Sequence, residues 1–557
     1  MTGQHRWSGL SRPLTLAALA AVPLAVLGVF FVLPVLGMIS EGFWADGHFD
    51  PGAVVEVLGR PRVHRVVWFT VWSSVAGTLL SLLLGVPAAH LLHRRSFPGR
   101  RLLRALLLVP FVLPTVVVGV AFRELIGEAG PLGFLGLDGS AAAIVAGLVF
   151  FNVSVVIRAV GAAWETLDPR PAEAAAALGA GPAYVFRTVT LPMLRPAIVS
   201  AASVVFLFCA TAFGVVLTLG GLRYSSVETE IYLLTTNLLD LQAAAALSIV
   251  QLLAIVALLL VTSRLRAVPD PTLARSTARP PRVALAAWPG DWPGVAVTTV
   301  VAVLVGLPIA ALVTGSLRVG DGWGLANYRA LTTEGSRQAL LVPATDALVT
   351  SLRTAFDATW MSLSLGLLVA VVVSRRSHTR AERRARGLLD GLFLLPLGVS
   401  AVTLGFGFLI TLDQPPVDFR DSLLLVPIAQ ALVALPLVVR TLAPVLGGVD
   451  DRQRQAAASL GAGPLRTFAT VDLPALWKPL LAAAGFAFAV SLGEFGATSF
   501  LAREDHPTLP IVIFHLIGHP GAMNYGMALA ASVVLAATTA VVLLLVERLR
   551  VPSVGAL

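Results

Sequence analysis

At 557 residues and 58.2 kDa the chain has room for several domains, yet 57% of its residues are hydrophobic, 13% are charged and its mean hydropathy is +0.85. A soluble protein carries charge on roughly a quarter of its residues, so the composition excludes one and puts most of the chain in lipid. The net charge of +9 does not point to nucleic acid, because the cations are almost all arginine and sit between apolar runs, where they set topology.

A bilayer core takes about 20 mostly apolar residues per helix. In chain order the apolar runs predict spans near 13–40, 67–92, 105–125, 142–163, 197–219, 242–263, 290–315, 347–374, 388–411, 423–445, 480–501 and 523–546. Twelve helices follow, an all-α integral membrane protein. Arg6 and Arg12 precede the first run, but Pro13 to Met38 is too long for the apolar core of a signal peptide, so it is expected to remain as an anchor. Cys209 is the one cysteine and lies inside an apolar run, which excludes a disulfide framework and a cysteine-based zinc site.

Arginines orient the bundle. Arg94, Arg95, Arg100, Arg101 and Arg104 follow the second span, Arg264, Arg266, Arg275, Arg279 and Arg282 the sixth, and Arg375, Arg376, Arg380, Arg383, Arg384 and Arg386 the eighth. These alternate loops share one side, which the positive-inside rule assigns to the cytoplasm together with both termini. Arg60, Arg62 and Arg65 are an exception, falling on the outer side among Glu41, Asp46, Asp50 and Glu56.

Residues 264–282, RLRAVPDPTLARSTARPPR, lack apolar periodicity and read as a linker. The chain then divides into a first half, 1–263, a linker, 264–285, and a second half, 286–557. The halves repeat: EAAAALGAGPAYVFRTVTLP at 173–192 answers QAAASLGAGPLRTFATVDLP at 455–474, 282 positions on. The same offset relates Arg158 to Arg440 and Phe213-Gly214 to Phe495-Gly496, and Arg94-Arg95-Ser96 answers Arg375-Arg376-Ser377 at 281. Six spans per half leave both copies in one orientation, a parallel duplication about an axis along the membrane normal.

In each repeated loop, 171–195 and 452–478, an alanine-rich helix meets glycine, Gly-Pro restarts it, and an amphipathic turn leads to Leu-Pro. Alanine and glycine leave a smooth surface that a protein partner can approach closely. Glu173-Ala174-Ala175, then Gly179, Val189 and Leu191-Pro192, resembles the EAA loop of permease subunits of binding-protein-dependent ABC importers. Gln455-Ala456-Ala457, Gly461 and Leu473-Pro474 form the second copy, with glutamine where the family has glutamate. Two such loops in one chain resemble the fused permeases of the iron(III)/thiamine group, with the type I ABC importer fold in two parallel six-helix repeats. That resemblance implies that both loops dock on a cytoplasmic ABC ATPase dimer, that an extracytoplasmic solute-binding protein delivers the solute, and that ATP and magnesium reside on the ATPase. It also places the chain in a bacterial plasma membrane. Independently, the only lysine is Lys478, between Trp477 and Pro479, so the chain has no phosphate-binding P-loop.

For the solute, Leu217-Thr218-Leu219-Gly220-Gly221 followed by Glu228-Thr229-Glu230-Ile231-Tyr232 is similar to thiamine permeases, while Ser491-Leu492-Gly493-Glu494-Phe495-Gly496 is similar to thiamine and iron(III) members alike. Thiamine is favoured, with ferric iron the alternative; a secondary transporter fits less well because, beyond Glu494, the spans offer little for ion coupling. Glu494 is the sharpest candidate on the substrate path, since an acid within a span costs roughly 2.5–3.5 kcal/mol on insertion scales and usually serves a cavity or partner. Its counterpart is Ala212; Phe495, Gly496, Phe213 and Gly214 complete the expected path. Arg158 and Arg440 are expected to be anchors, Arg353 and Asp357 a structural pair, and His506, His515 and His519 no metal site. No cofactor, metal or nucleic acid is expected on this chain, and no constellation of catalytic residues is found.

Overall fold

The computed structural model describes residues 18–45, 48–111, 113–221, 223–265, 283–285, 291–375, 380–394, 399–414, 417–419 and 421–549. They are overwhelmingly helical, because lipid offers no hydrogen bonds and each helix satisfies its own backbone. Ten described helices are long and apolar enough to cross a bilayer: Ala18–Phe43, Pro61–Arg94, Ala141–Thr166, Pro182–Ala210, Leu241–Thr262, Trp292–Leu317, Ala344–Ser374, Leu425–Gly448, Pro464–Leu492 and Ala522–Val546.

The expected twelve spans are corrected at equivalent places in the two halves. The third is a sharply bent pair, Arg100–Phe111 and Thr115–Ile126, which raises the count to at most eleven. Pro110 and Pro114 fall at the bend, where proline removes an N–H donor and clashes with the preceding turn. The ninth is divided between Arg380–Leu394 and the short apolar helix Ala401–Thr411. The fifth and eleventh also end before their expected limits, at Ala210 and Leu492, and the chain turns at Phe213-Gly214 and Phe495-Gly496 into the short helices Gly214–Leu219 and Thr498–Leu501.

Within each half, small residues bring helices into contact. A Cβ on Gly85 would meet Val156 at 2.7 Å, and one on Gly366, its counterpart, would meet Val438 at 2.5 Å. Ser81 and Ser362, one turn earlier, are fully buried. Close backbone approach of this kind supplies the dispersion that replaces a hydrophobic driving force in lipid. Trp68, Leu79 and Leu83 on the second span lie exposed, facing where lipid would be.

The first helix of each half crosses to the other. Val301 and Val305 of Trp292–Leu317 join the core of the first half, while Leu27 and Phe31 join the core of the second with Val369, Phe393 and Phe408. A third cluster draws on both halves, from Val116 and Phe213 to Phe406 and Phe495.

Of the expected linker, residues 266–282 lie outside the described residues. Val283-Ala284 at its end pairs in parallel with Arg95-Ser96, and Arg95 binds Asp291 at 2.8 Å. Two of the three exceptional arginines are neutralised: Arg60 pairs with Asp240 at 2.9 Å, and Arg62 with Glu230. The expected Arg353–Asp357 pair is corrected, because Asp357 accepts from Trp360 Nε1 at 3.3 Å and no ion pair joins it to Arg353.

Candidate functional site

Two regions gather the residues singled out by the sequence: the repeated loops at the arginine-rich end, and the seam where the two halves meet. The loops fold alike. Helix Arg170–Ala177 ends at Gly179, φ +87°, and helix Asp451–Ser459 at Gly461, φ +83°. Ala180 N donates to Ala175 O at 3.1 Å and Ala462 N to Ala457 O at 3.0 Å, the bond that closes a helix over a left-handed residue. A Cβ at either glycine would meet nothing within 4 Å, so conformation rather than crowding requires glycine. Gly181-Pro182 and Gly463-Pro464 start the helices Pro182–Val185 and Pro464–Thr467, and π-turns Phe186–Thr190 and Phe468–Asp472 lead into Leu191-Pro192 and Leu473-Pro474.

Glu173, Ala174, Gln455 and Ala456 are exposed, and Ala175 and Ala457 are half-buried. Leu178, Leu460 and Leu465 are 89%, 87% and 86% exposed. Isolated exposed leucines need no explanation, but Leu178 and Leu460 stand at matched positions, one on each loop.

The loops differ beneath that surface. Asp472 is fully buried and accepts from Arg375 at 2.8 Å and from Arg454 at 2.8 Å. Arg454 also binds Asp451 at 2.8 Å and the carbonyl of Leu446 at 2.9 Å. The second loop is thereby tied to the end of Ala344–Ser374 and of Leu425–Gly448. In the first half Ala172 and Thr190 stand where Arg454 and Asp472 would be, so this tie is absent there. Sequence reasoning passed over it, although two charges facing two neutral residues across a 282-residue repeat were a readable signal.

At the seam the breaks after the fifth and eleventh spans come together. Phe213 stacks on Phe495, with centroids 5.2 Å apart and planes at 23°. Tyr232 meets Phe213 at 5.4 Å, and its counterpart Phe514 meets Phe495 at 5.5 Å; Phe500 adds a fifth ring, 5.5 Å from Tyr232. Such pairs contribute about 0.5–1.5 kcal/mol each beyond burial. The short helices that hold the outer rings are anchored alike: Val227 N donates to Thr70 Oγ1 at 2.9 Å and Leu509 N to Ser351 Oγ at 2.7 Å. Gly214 lies against Thr115, and Gly496 against Ala401 at 3.0 Å from a built Cβ, so both turns pack on the second pieces of the broken third and ninth spans.

Glu494 is buried and accepts from Ala497 N at 2.8 Å, Thr498 N at 3.0 Å and the Thr498 hydroxyl. Its carboxylate therefore caps the helix that follows it. Arg158 lies over Phe111 and Phe486 at 5.8 and 5.6 Å, the second from the other half, a cation–π contact that an anchor reading did not include. His506 binds Asp505 and His519 binds the carbonyl of His515; no group of three or more His, Cys, Asp or Glu poised for a metal occurs among the described residues. On the end opposite the repeated loops a cavity of about 760 Å³ opens between the halves, with Glu124 and Arg123 from one and Arg318 and Tyr525 from the other; Tyr525 donates to Glu124 at 2.9 Å.

Residues 77–275 and 362–550, one stretch in each half, match the family model described as binding-protein-dependent transport system inner membrane component. The chain is 28% identical over 525 residues to the thiamine transport system permease protein ThiP of Brucella abortus, covering 92% of each chain. It is 29% identical to the protein of the same name in Escherichia coli, covering 82% of this chain and 83% of that one. Similarity of 24% to the ferric transport system permease protein FbpB of Actinobacillus pleuropneumoniae covers 92% of this chain and 75% of the relative.

Proposed function

The chain belongs to the family of binding-protein-dependent transport system inner membrane components, carrying two copies of its domain, and from that membership we propose that it is the complete membrane pore of an ATP-driven importer for thiamine. The observation that carries the proposal is the pair of register-matched loops, each presenting a near fully exposed leucine beside a left-handed glycine.

In this reading Glu173, Ala174, Ala175, Gly179, Leu191 and Pro192, and Gln455, Ala456, Ala457, Gly461, Leu473 and Pro474, dock on the two subunits of a cytoplasmic ATPase dimer. The first half is 1–263, the linker 264–285 and the second half 286–557, and both termini are cytoplasmic, as the arginine distribution supports. ATP and magnesium belong to the ATPase chain, because Lys478 is the only lysine and cannot form a P-loop. Closure of the ATPases draws the loops together, the halves rock about the seam, and solute handed over by an external binding protein passes Phe213, Gly214, Glu494, Phe495 and Gly496. Rings and a carboxylate suit a cation that is itself aromatic, which favours thiamine. Ferric iron is the second reading, favoured by the FbpB relative.

The test is reconstitution of the chain with its ATPase in proteoliposomes, adding candidate binding proteins loaded with labelled thiamine or ferric iron. ATP-dependent thiamine uptake is expected, with no ATP hydrolysis by the chain alone. Iron uptake without thiamine uptake exchanges the two solutes, and uptake driven by an ion gradient without the ATPase overturns the importer class.

A further inference from the structure

The sequence directed attention to Glu494, but a second acid lies deeper in the seam. Ser226 caps helix Val227–Thr236 in a reciprocal pair with Thr229, which fixes Glu228 in the first turn. Glu228 is 0% exposed. Its carboxylate accepts from Gln251 Nε2, in Leu241–Leu265 of its own half, and from Ser400 Oγ at 2.9 Å, in the second half. Neither donor is charged, and among the described residues no arginine, lysine or histidine pairs with it. Glu494, by contrast, uses both oxygens on its own loop and moves with it as one body.

Tyr232 follows Glu228 by one helical turn, so acid and ring share a face of that helix, and Tyr232 opens onto the array of Phe213, Phe495, Phe500 and Phe514. Gln251 Oε1 is buried with no hydrogen-bond partner. Burying an amide oxygen unsatisfied is costly, and it stands ready for a donor the structure does not itself supply. The counterpart of Glu228 is Pro510, so the duplicated frame holds this carboxylate on one side only.

We propose that Glu228, Gln251 and the ring array form a transient site for one flat aromatic cation bearing an amino donor, opened when the halves draw apart. This deepens the importer reading and rests on it. Ser400 leaves with the second half, and the carboxylate loses one of its two partners. Phe213 and Phe495 separate, making room for a ring between them. The cation takes the place of the lost donor against the carboxylate, its amino group binds Gln251 Oε1, and return of Ser400 expels it. The desolvated carboxylate makes the site selective, because a buried acid favours a cation strongly in a low dielectric and a neutral solute not at all.

The experiment uses the chain with its ATPase and thiamine-loaded binding protein in proteoliposomes. E228Q keeps the shape and an oxygen for Ser400 while removing the charge. Uptake of labelled thiamine is expected to fall at least tenfold, with assembled complex and stimulated ATP hydrolysis unchanged; E228D should restore part of the uptake, and S400A should keep it, since the charge remains. Wild-type uptake by E228Q, alongside an active wild-type complex, overturns the role of Glu228 alone. A shared loss of assembled complex in E228Q, E228D and S400A overturns it in favour of a structural link between the halves. No thiamine uptake by the wild type overturns the solute and this site together.

Discussion

Glu494 donates nothing and accepts three hydrogen bonds from residues three and four positions ahead, so its removal strands two backbone donors and a hydroxyl in a buried turn. An unsatisfied buried donor costs about 1–3 kcal/mol. Glu494→Ala is therefore expected to lower the thermal stability of the purified protein in detergent, and Glu494→Gln, which keeps one acceptor oxygen, to lower it by less. If the path reading is correct as well, uptake falls in the Gln variant at unchanged complex yield; equal melting of both variants and wild type would remove the cap described above. The acid was legible in the sequence as an anomaly. Its partners were not, because a cap depends on where the helix breaks, and the run from 480 to 501 reads as continuous.

At the scale of elements, the repeat predicted the matched loops, and both were found, glycine by glycine. Their surface is the simplest to test. Leu178→Asp and Leu460→Asp change exposed side chains whose loss leaves no cavity, so melting should be unaffected while co-purification of the ATPase falls at least tenfold; retention of the ATPase by both variants would count against docking there. The tie beneath the second loop has a different signature. Asp472→Ala leaves Arg454, only 12% exposed at its side chain, without its buried partner, and breaking such a pair costs about 3–5 kcal/mol. Faster hydrogen exchange is expected across 451–472 and not across 170–190, and equal change in both loops would show that the tie is not local to the second.

At the scale of the whole molecule, the crossing of the first helix of each half explains how one polypeptide serves as two subunits. Leu27 and Phe31 complete the second core, and Val301 and Val305 the first, so burial is expected to hold the halves together after the linker is cut. A protease site placed at 270–280 and cut after folding should leave the two fragments co-migrating in size-exclusion chromatography in mild detergent. Separation of the fragments would mean that the linker, not the crossed helices, maintains the assembly.

The sequence alone determined the class of molecule: hydropathy fixed a helical membrane protein, the 282-residue repeat fixed two parallel halves, and the absence of any lysine but Lys478 excluded a P-loop. These are properties of composition and local spacing, which a linear reading captures. Tertiary structure decided where the third, fifth, ninth and eleventh spans break, because proline and glycine permit a break but packing selects it. It alone brought Phe213 onto Phe495 and Ser400 onto Glu228, pairs separated by 282 and 172 positions. Glu228 reads in sequence as one residue of a segment similar to thiamine permeases; only the meeting of two halves turns it into a buried acid between them.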